Sequence, residues 1–280
     1  MMSSNFGLQL GHGDDEWRDA RVAQADACAA LSYLVIIPSF NSGPKLIETV
    51  VEARRYWAPI WVVIDGSTDG SAAAIEKLAA LDTKIRVFVL PRNAGKGAAI
   101  LHGLQHAEAM GFTHALTMDG DGQHPAALIP RFVAESVAHP DALILGKPVF
   151  DRSAPRIRVV GRKLSNLWAG LETLWASNFD SLFGFRIYPI KELRMTLEAS
   201  RWMRRYDFDA EAAVRLSWHG HKLISLPAPV RYYTPDQGGV SHFQYLRDNL
   251  LLSWMHARLL LGFVLRLPQI AARRIKSSLH

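Results

Sequence analysis

The feature that most constrains the fold of this chain is a regular alternation of short β-rich runs and helical patterns. The runs lie at 34–38, 61–65, 86–90, 115–119 and 142–146. Helical patterns separate them at 45–56, 72–81, 97–110 and 126–137, and Ser42 followed by Pro44 is expected to cap and open the first helix. This alternation predicts an α/β fold: a Rossmann-like, mostly parallel sheet with right-handed crossovers, flanked by helices on both faces.

Polar residues cluster where three of these runs end, at 39–41, 65–69 and 119–123. Parallel strands point the same way, so their carboxyl ends meet at one edge of the sheet, and ligands bind there. We therefore expect the functional site at this edge.

The string Asp119-Gly-Asp121 is a candidate metal site. Two carboxylates two positions apart at a strand end point to the same side, and their hard oxygen atoms favour Mg²⁺ or Mn²⁺. The glycine between them allows a ligand to approach the backbone closely. An acidic, glycine-rich turn without a ligand accounts for the same pattern equally well.

Two other motifs follow strand ends. Asp65 closes a buried run, so its carboxylate is a candidate to accept hydrogen bonds from a base or a sugar, whereas Asp69 is expected to cap the next helix. Lys96 opens a helix in the string Asn93-Ala-Gly-Lys-Gly, where a lysine can meet a phosphate; a solvated lysine is an equally good interpretation. The string is not a Walker A loop, because Leu90 occupies the position of that motif's first glycine.

The second half of the chain departs from the alternation. Residues 152–163 carry five basic residues and no acid, which predicts either a mobile basic loop entering a helix or an ordinary solvated basic face. Asp207, Asp209 and Glu211 stand among aromatic residues where a helical pattern at 209–219 begins. One acid there would be a favourable charge at a helix N-terminus. Three acids raise the prospect of a catalytic base.

Six strings in a fixed order resemble the motifs of family 2 glycosyltransferases of the GT-A fold, over about residues 34–233. They are Val35-Ile-Ile-Pro38-Ser-Phe40-Asn41, Ile64-Asp65-Gly-Ser-Thr-Asp-Gly-Ser, Asn93-Ala-Gly-Lys-Gly-Ala-Ala-Ile, Asp119-Gly-Asp121-Gly-Gln-His-Pro, Phe183-Gly-Phe-Arg186 and Phe208-Asp-Ala-Glu211. Each string is weak by itself, but together they are specific.

The resemblance implies a nucleotide-diphosphate-sugar donor, a Mn²⁺ or Mg²⁺ ion and inversion at the anomeric carbon. The donor residues implied by it are Pro38, Phe40, Asn41, Asp65, Lys96, Asp119 and Gly120. The implied metal ligands are Asp119, Asp121 and His242, the catalytic base is Asp209, and the acceptor-side residues are Gly184, Phe185, Arg186 and Glu211. The ion would offset charge on the departing diphosphate, while the base takes the proton of the attacking hydroxyl.

Two positions depart from the family pattern. Ser42 stands where the family usually has an acid, and Ile64 replaces the first of a usual pair of aspartates. Both positions lie around the nucleoside, so the base and the sugar of the donor stay open. Polyprenyl-phosphate and lipid glycosyltransferases are the most similar in pattern, although no pair of transmembrane segments follows the catalytic part here.

Three regions are predicted: a polar N-terminal extension (1–30), a GT-A glycosyltransferase domain (31–239) and a basic, amphipathic, helical C-terminal tail (240–280). In the tail, six basic residues stand against one acid. Its apolar residues recur at the spacing of one helical face, at Leu246, Leu250, Trp254, Leu261 and Leu265,. Pro268 is expected to break the helix.

An apolar face with basic margins predicts a helix lying on an anionic membrane; a helix packed on the catalytic sheet is the alternative. The apolar run at 249–267 contains His256, Arg258 and Arg266. Because charges inside a bilayer are costly, we do not expect it to span one.

Composition excludes several other classes. The single cysteine, Cys28, cannot form an internal disulfide or a cysteine-based zinc site,. No signal peptide is recognised in residues 1–30, so we expect a cytoplasmic protein, peripheral on the inner face of the membrane. The net charge of +6 permits an anionic partner,, but we expect no nucleic-acid partner.

The expected activity is metal-dependent transfer of a hexose from a nucleotide sugar to a lipid or lipid-linked acceptor. The alternatives are a catalytically silent nucleotide-sugar-binding protein of the same fold and a transferase that uses a soluble acceptor. A hydrolase fits poorly, because glycosidases place two acids across one bond.

Overall fold

The computed structural model describes residues 32–150, 156–231, 233 and 245–277. The strands are β1 (Tyr33–Ser39), β2 (Ile60–Asp65), β3 (Ile85–Leu90), β4 (His114–Thr117), β5 (Leu143–Val149), β6 (Arg186–Pro189) and β7 (Leu223–Pro229). The helices are α1 (Pro44–Tyr56), α2 (Ser71–Leu81), α3 (Lys96–Ala109), α4 (Ile129–Ala138), α5 (Arg156–Glu172), α6 (Ile190–Glu198), α7 (Phe208–Trp218) and α8 (Tyr245–Ser277), with a 3₁₀ turn at Ala126–Leu128 before α4.

The strands form one seven-stranded sheet in the order β3-β2-β1-β4-β6-β5-β7. Strand β6 runs antiparallel to both of its neighbours, β4 and β5, while the other pairs are parallel. The predicted α/β class and mostly parallel sheet are therefore confirmed. The carboxyl ends of β1, β2 and β4 share one edge with the amino end of the reversed β6.

Both faces of the sheet are covered, which is why its strands read as continuous apolar runs. Every residue of β1 and β2 is buried. One hydrophobic cluster joins one face of the sheet to α3, α6, α7 and α8, and a second cluster joins the other face to α1, α2 and α4. The two-sided packing follows from the alternation in the sequence.

The ends of the helices and strands differ from the sequence-based predictions in three places. Gly43, not Ser42, precedes α1, and Pro44 is its first residue; the hydroxyl of Ser42 instead accepts a hydrogen bond from Ser39. Strand β4 ends at Thr117 rather than at 119, because the chain turns there to present the Asp-Gly-Asp string. The predicted basic loop at 152–163 is wrong in its second part, because α5 already begins at Arg156.

Helix α8 is a single helix of 33 residues. The expected break at Pro268 is wrong, because this proline is exposed and water can satisfy the carbonyl that loses its amide donor. Among the described residues, one helical stretch, Arg247–Arg273, is long and apolar enough to cross a membrane. Of its most apolar 18-residue part, 28% is buried inside the protein. One such helix is weak evidence for a span.

Helix α8 has two apolar faces. The buried face belongs to the same core as the sheet and consists of Leu252, Met255, Leu259, Phe263 and Ile270. The exposed face consists of Leu250, Trp254, Leu261, Val264, Leu265 and Leu267. One face therefore packs on the domain, as the alternative for the tail expected, while the other is open to solvent and its contact with a membrane stays a prediction.

Candidate functional site

The site lies where the carboxyl ends of β1, β2 and β4 meet. Asp65, the last residue of β2, is buried, and its two carboxylate oxygens accept hydrogen bonds from the backbone N–H groups of Ala94 and Gly95 at 2.8 and 2.7 Å. Asp65 therefore holds the loop that leads into α3. Gly66 lies so close to this loop that a Cβ atom there would fall 2.4 Å from the nitrogen of Asn93. A glycine is required at this approach.

The loop after β1 is tied to the loop after β2. Asn41 has a left-handed backbone, with φ of 47°; its side-chain oxygen accepts a hydrogen bond from Thr68 N–H at 2.7 Å, and its own N–H donates to Ser67 Oγ at 3.0 Å. Asp69 accepts hydrogen bonds from the N–H groups of Gly43 and Ser71. It supports the start of α2 from one residue before the cap position, which Gly70 occupies, so the prediction that Asp69 is the cap is wrong. Pro38 is buried within β1, and Phe40 follows at the strand end.

Lys96 occupies the centre of the site. Its ammonium lies 2.6 Å from Asp119 Oδ1 and 2.7 Å from Asp209 Oδ2, with 13% of its side chain exposed. Burial alone would lower the pKa of Lys96, but the two carboxylates outweigh it and raise that pKa. The lysine is charged, and it joins a residue of the metal motif to the expected base.

The two carboxylates of the Asp-Gly-Asp string need a compensating cation. Burial and the negative charge of Asp119 raise the pKa of Asp121 to about 6. Burial also opposes ionisation of Asp119, but the charge of Lys96 outweighs it and lowers the pKa of Asp119 to about 2. Gly120 between them packs against Leu46, where a Cβ atom would approach to 3.0 Å. Two acids that share one site create the demand for positive charge that a divalent ion meets.

These residues fit Mg²⁺ or Mn²⁺ by their chemistry. Mg²⁺ is often held by only one or two carboxylates, with substrate phosphates and water completing its shell. Within the part of the chain that the structure describes, no group of three or more His, Cys, Asp or Glu side chains could hold a metal by itself. His242 lies outside the described residues. Asp119 and Asp121 would therefore be the protein ligands, and a donor diphosphate would supply others.

His124 is a site residue to which the sequence assigned no role. Its Nδ1 accepts a hydrogen bond from Asp119 N–H at 3.0 Å, and its Nε2 lies 3.6 Å from Asp119 Oδ2. Burial, together with the nearby positive charges, lowers the pKa of His124 to about 4, so the ring is neutral at pH 7. Phe183 and Phe185 pack edge-on against it. The signal was present in the sequence, since His124 stands three residues after Asp121.

The string Phe183-Gly-Phe-Arg186 serves a different purpose from the expected contact with the acceptor. Phe185 is fully buried against Phe132. Arg186 is also fully buried, and its guanidinium donates to five groups: the carbonyl oxygens of Asp180, Ser181, Phe183 and Asp209, and the hydroxyl of Tyr188. Arg186 thus ties the 180–183 loop to the start of α7. Gly184 lies beside Lys96 Nζ, where a Cβ atom would come within 2.4 Å.

The three acids at the start of α7 have three different surroundings. Asp207 accepts backbone hydrogen bonds from Met203 and Arg205 and so shapes the preceding loop. Asp209 faces Lys96. Glu211 is two residues further on and points to nearly the opposite side of the helix, where its fully buried carboxylate pairs with Arg215 at 2.7 Å and with Arg258 of α8 at 2.9 Å.

Asp209 has an oxygen ready to accept a proton. Its side chain is 6% exposed; Oδ2 accepts from Lys96, while Oδ1 is buried and has no hydrogen-bond partner among the residues that the structure describes. A buried carboxylate oxygen without a donor is unfavourable, and a hydroxyl brought into the site would satisfy it. Its backbone carbonyl is held by Arg186.

Two residues beyond the expected set surround this cluster. Burial and the negative charges of Asp248, Asp119 and Asp121 raise the pKa of Tyr206. Arg162 of α5 pairs with Asp180 at 2.7 Å, and its positive charge contributes to lowering the pKa of Asp119. The basic span at 152–163 therefore turns at least one arginine toward the site.

Comparison with known proteins places this geometry in a family. The model of the family described as "Glycosyl transferase family 2" matches residues 34–194. Polyprenol monophosphomannose synthase of Mycolicibacterium smegmatis is 30% identical over 216 residues, which cover 74% of this chain and 79% of the relative. The putative glycosyltransferase CsbB of Bacillus subtilis is 35% identical over 105 residues, or 35% of this chain and 31% of CsbB.

A third relative, undecaprenyl-phosphate 4-deoxy-4-formamido-L-arabinose transferase of Pseudomonas fluorescens, is 33% identical over 48% of this chain and 40% of its own length. For two of these three relatives, the chain thus spans less than half of their length.

Solved structures support the fold. Glucosyl-3-phosphoglycerate synthase from Mycobacterium tuberculosis, in complex with Mn²⁺, UDP-glucose and phosphoglyceric acid, has a TM-score of 0.58 at 17% identity, over 85% of this chain and 81% of its own. Residues 1–349 of S. aureus TarS, in complex with UDP-GlcNAc, have a TM-score of 0.54 at 16% identity, over 84% and 72%. The expected GT-A fold is confirmed.

Proposed function

The chain belongs to glycosyl transferase family 2, and from this premise we propose that it is an inverting, metal-dependent hexosyltransferase that moves a sugar from a nucleotide-diphosphate-sugar to a lipid or lipid-linked acceptor at a membrane surface. The observation that carries the proposal is the cluster of Asp119, Lys96 and Asp209. It places a carboxylate suited to a cation and a carboxylate suited to a proton on either side of one ammonium.

The donor side is supported by the edge of the sheet. The loops after β1 and β2 hold each other through Asn41, and Asp65 fixes the backbone that leads to Lys96. Lys96 at the first turn of α3 suits a diphosphate, because its ammonium supplies positive charge at a helix N-terminus. A divalent ion bound by Asp119 and Asp121 would offset charge on the leaving diphosphate.

The acceptor side is supported by Asp209. Inversion needs an acceptor oxygen that attacks the anomeric carbon on the face opposite to the leaving group, with a carboxylate to take its proton. Asp209 Oδ1 has no partner among the described residues, and Arg186 fixes the backbone that carries it. An acceptor that is a phosphate would arrive ionised and would need no base; Asp209 would then serve only to hold Lys96.

A lipid acceptor is favoured by the exposed apolar surface of two neighbouring helices. On α8 the exposed apolar side chains range from 39% to 72% exposure between Leu250 and Leu267. Helix α5 packs against α8 through a 2.9 Å hydrogen bond between Ser165 and His256. It exposes further large apolar side chains, namely Val160, Leu164, Leu167 and Trp168. Side chains of this kind bind the boundary of a bilayer.

Basic residues accompany this surface, although not all are free to meet lipid. Arg247 is exposed beside the apolar face. Arg258 is instead paired with Glu211, and Arg273 donates to the carbonyl of Trp218. The side chains of Arg274 and Lys276 lie outside the described part. Two relatives named for polyprenol or undecaprenyl phosphate favour a lipid or lipid-linked acceptor, and we place the site on the cytoplasmic face of the membrane.

The proposal is tested by incubating the protein with a panel of radiolabelled UDP- and GDP-sugars, Mn²⁺ and a bacterial lipid extract. We expect label in the organic phase with one nucleotide sugar, together with release of its diphosphate. The Asp121→Asn protein is the matched control. Label in free sugar without lipid would indicate a hydrolase, label in a water-soluble product would indicate a soluble acceptor, and metal-dependent nucleotide binding without turnover would indicate a silent binding protein.

A further inference from the structure

The ammonium of Lys96 supplies the positive charge that two neighbouring carboxylates require while no ligand is bound. It contacts Asp119 at 2.6 Å and Asp209 at 2.7 Å. Asp119 is also the residue that the proposed function assigns to the divalent ion. Two cations cannot share this carboxylate at close range without strong repulsion.

The backbone beneath Lys96 is fixed, so only its side chain can move. Asp65 accepts hydrogen bonds from the two residues before it, and the N–H group of Gly97 donates to the carbonyl of Arg204 at 3.0 Å. Gly184 leaves just enough room for the ammonium. A lysine head group sits on a flexible four-carbon stem, which lets it turn to a new anion while the helix stays in place.

We propose that Lys96 is an internal counter-ion of the resting site, which holds Asp119 and Asp209 together until a divalent ion and a diphosphate arrive. The ion then takes over Asp119, and the ammonium moves onto the diphosphate. Its departure frees Asp209 Oδ2 as a second acceptor beside Oδ1, so that both oxygens of the base are open only when the donor is bound. This inference rests on the proposed function for the identity of the diphosphate, but its metal-binding part does not depend on sugar transfer.

The counter-ion role predicts opposite effects of one substitution on two ligands. Without nucleotide, Lys96→Met removes a competing cation, so Mn²⁺ should bind roughly tenfold more tightly, a change of about 1.4 kcal/mol. With Mn²⁺ saturating, the same variant lacks the ammonium that meets the diphosphate, so UDP or GDP should bind at least tenfold more weakly. A lysine that only supports the fold would not produce effects of opposite sign.

The experiment titrates Mn²⁺ alone into metal-free protein, with free Mn²⁺ followed by electron paramagnetic resonance, and then titrates UDP and GDP calorimetrically in saturating Mn²⁺. Lys77→Met, on the exposed side of α2, is the matched control and should leave both affinities unchanged. Lys96→Gln, which keeps a polar head group, replaces Lys96→Met if the latter melts early.

Mn²⁺ affinity that stays the same or falls in the Lys96 variants would overturn the proposal, as would a site that binds no Mn²⁺ in any variant. Tighter Mn²⁺ binding in a protein that transfers no sugar from any donor would uphold the counter-ion role and refute the transferase. Sugar transfer with unchanged Mn²⁺ affinity would do the reverse.

Discussion

Asp209 and Glu211 offer a test in which two similar substitutions should have separate consequences. Asp209 faces Lys96, whereas Glu211 faces α8. Loss of a positioned base slows a reaction by about 10²–10⁴-fold, which is about 2.7–5.4 kcal/mol in the barrier. We expect Asp209→Asn to lower kcat by this factor with an acceptor hydroxyl. The melting temperature should change little, because Lys96 keeps its 2.6 Å contact with Asp119.

Glu211→Gln should have the opposite profile. Its carboxylate is fully buried between Arg215, which is 26% exposed, and Arg258, which is 13% exposed. Removing one partner of a buried ion pair costs about 3–5 kcal/mol, and solvent near Arg215 reduces this to about 2–3 kcal/mol. For a domain of this size, that corresponds to a melting temperature lower by about 4–12 °C. At temperatures where the variant is folded, kcat should stay close to that of the wild type.

The two effects are measured by thermal unfolding and by diphosphate release with saturating donor and lipid extract. An inactive Glu211→Gln protein with normal stability, beside an active Asp209→Asn protein, would refute the assignment of the base. If both variants keep full turnover, the acceptor is an ionised phosphate, and Asp209 acts only as a partner of Lys96.

Three other predictions concern the metal, the membrane and a buried acid. Asp121→Asn should abolish the Mn²⁺ dependence of UDP or GDP binding measured by calorimetry; its melting temperature should not fall, because the substitution relieves repulsion of Asp119. Replacing Leu261 and Leu265 with Ser should weaken binding to anionic liposomes, measured by flotation, by roughly tenfold or more. The control Leu81→Ser, at an exposed position elsewhere, should leave binding unchanged. Wild-type protein that does not bind the liposomes in low salt would count against a membrane surface. Burial raises the pKa of Glu172 above 4.5, so its ionisation disfavours the folded state. The stability of the wild type relative to Glu172→Gln should therefore fall as pH rises above about 4.5. Urea unfolding that gives the same difference in free energy of unfolding between the two proteins at pH 4.5 and at pH 7.5 would contradict this.

The tail shows how far a sequence pattern reaches. The spacing of Leu246, Leu250, Trp254, Leu261 and Leu265 predicted one apolar face. The structure exposes the last four on α8, while the side chain of Leu246 lies outside the described part. The same helix carries a second apolar face that packs into the core. Periodicity identifies residues that share a face, but it does not say whether lipid, solvent or protein covers that face.

Lys96 shows the same limit for charge. A lysine that opens a helix is equally consistent with a solvated side chain and with a phosphate ligand, and the sequence left the two open. Its ion pair with Asp209 spans 113 residues, so it exists only because α7 packs beside the start of α3. Arg186 was expected to face the acceptor, yet its five hydrogen bonds lie wholly within the protein.

The sequence by itself determined the α/β class, the approximate bounds of five strands and the edge of the sheet where the polar loops meet, because these depend on local periodicity and on the direction of parallel strands. The tertiary structure decided the direction of each side chain and its partners. Asp209 and Glu211 are two residues apart, but they turn to opposite sides of α7, one toward Lys96 and the other toward Arg258. Their different roles arise from contacts between elements far apart along the chain, and such contacts are decided by packing rather than by local pattern.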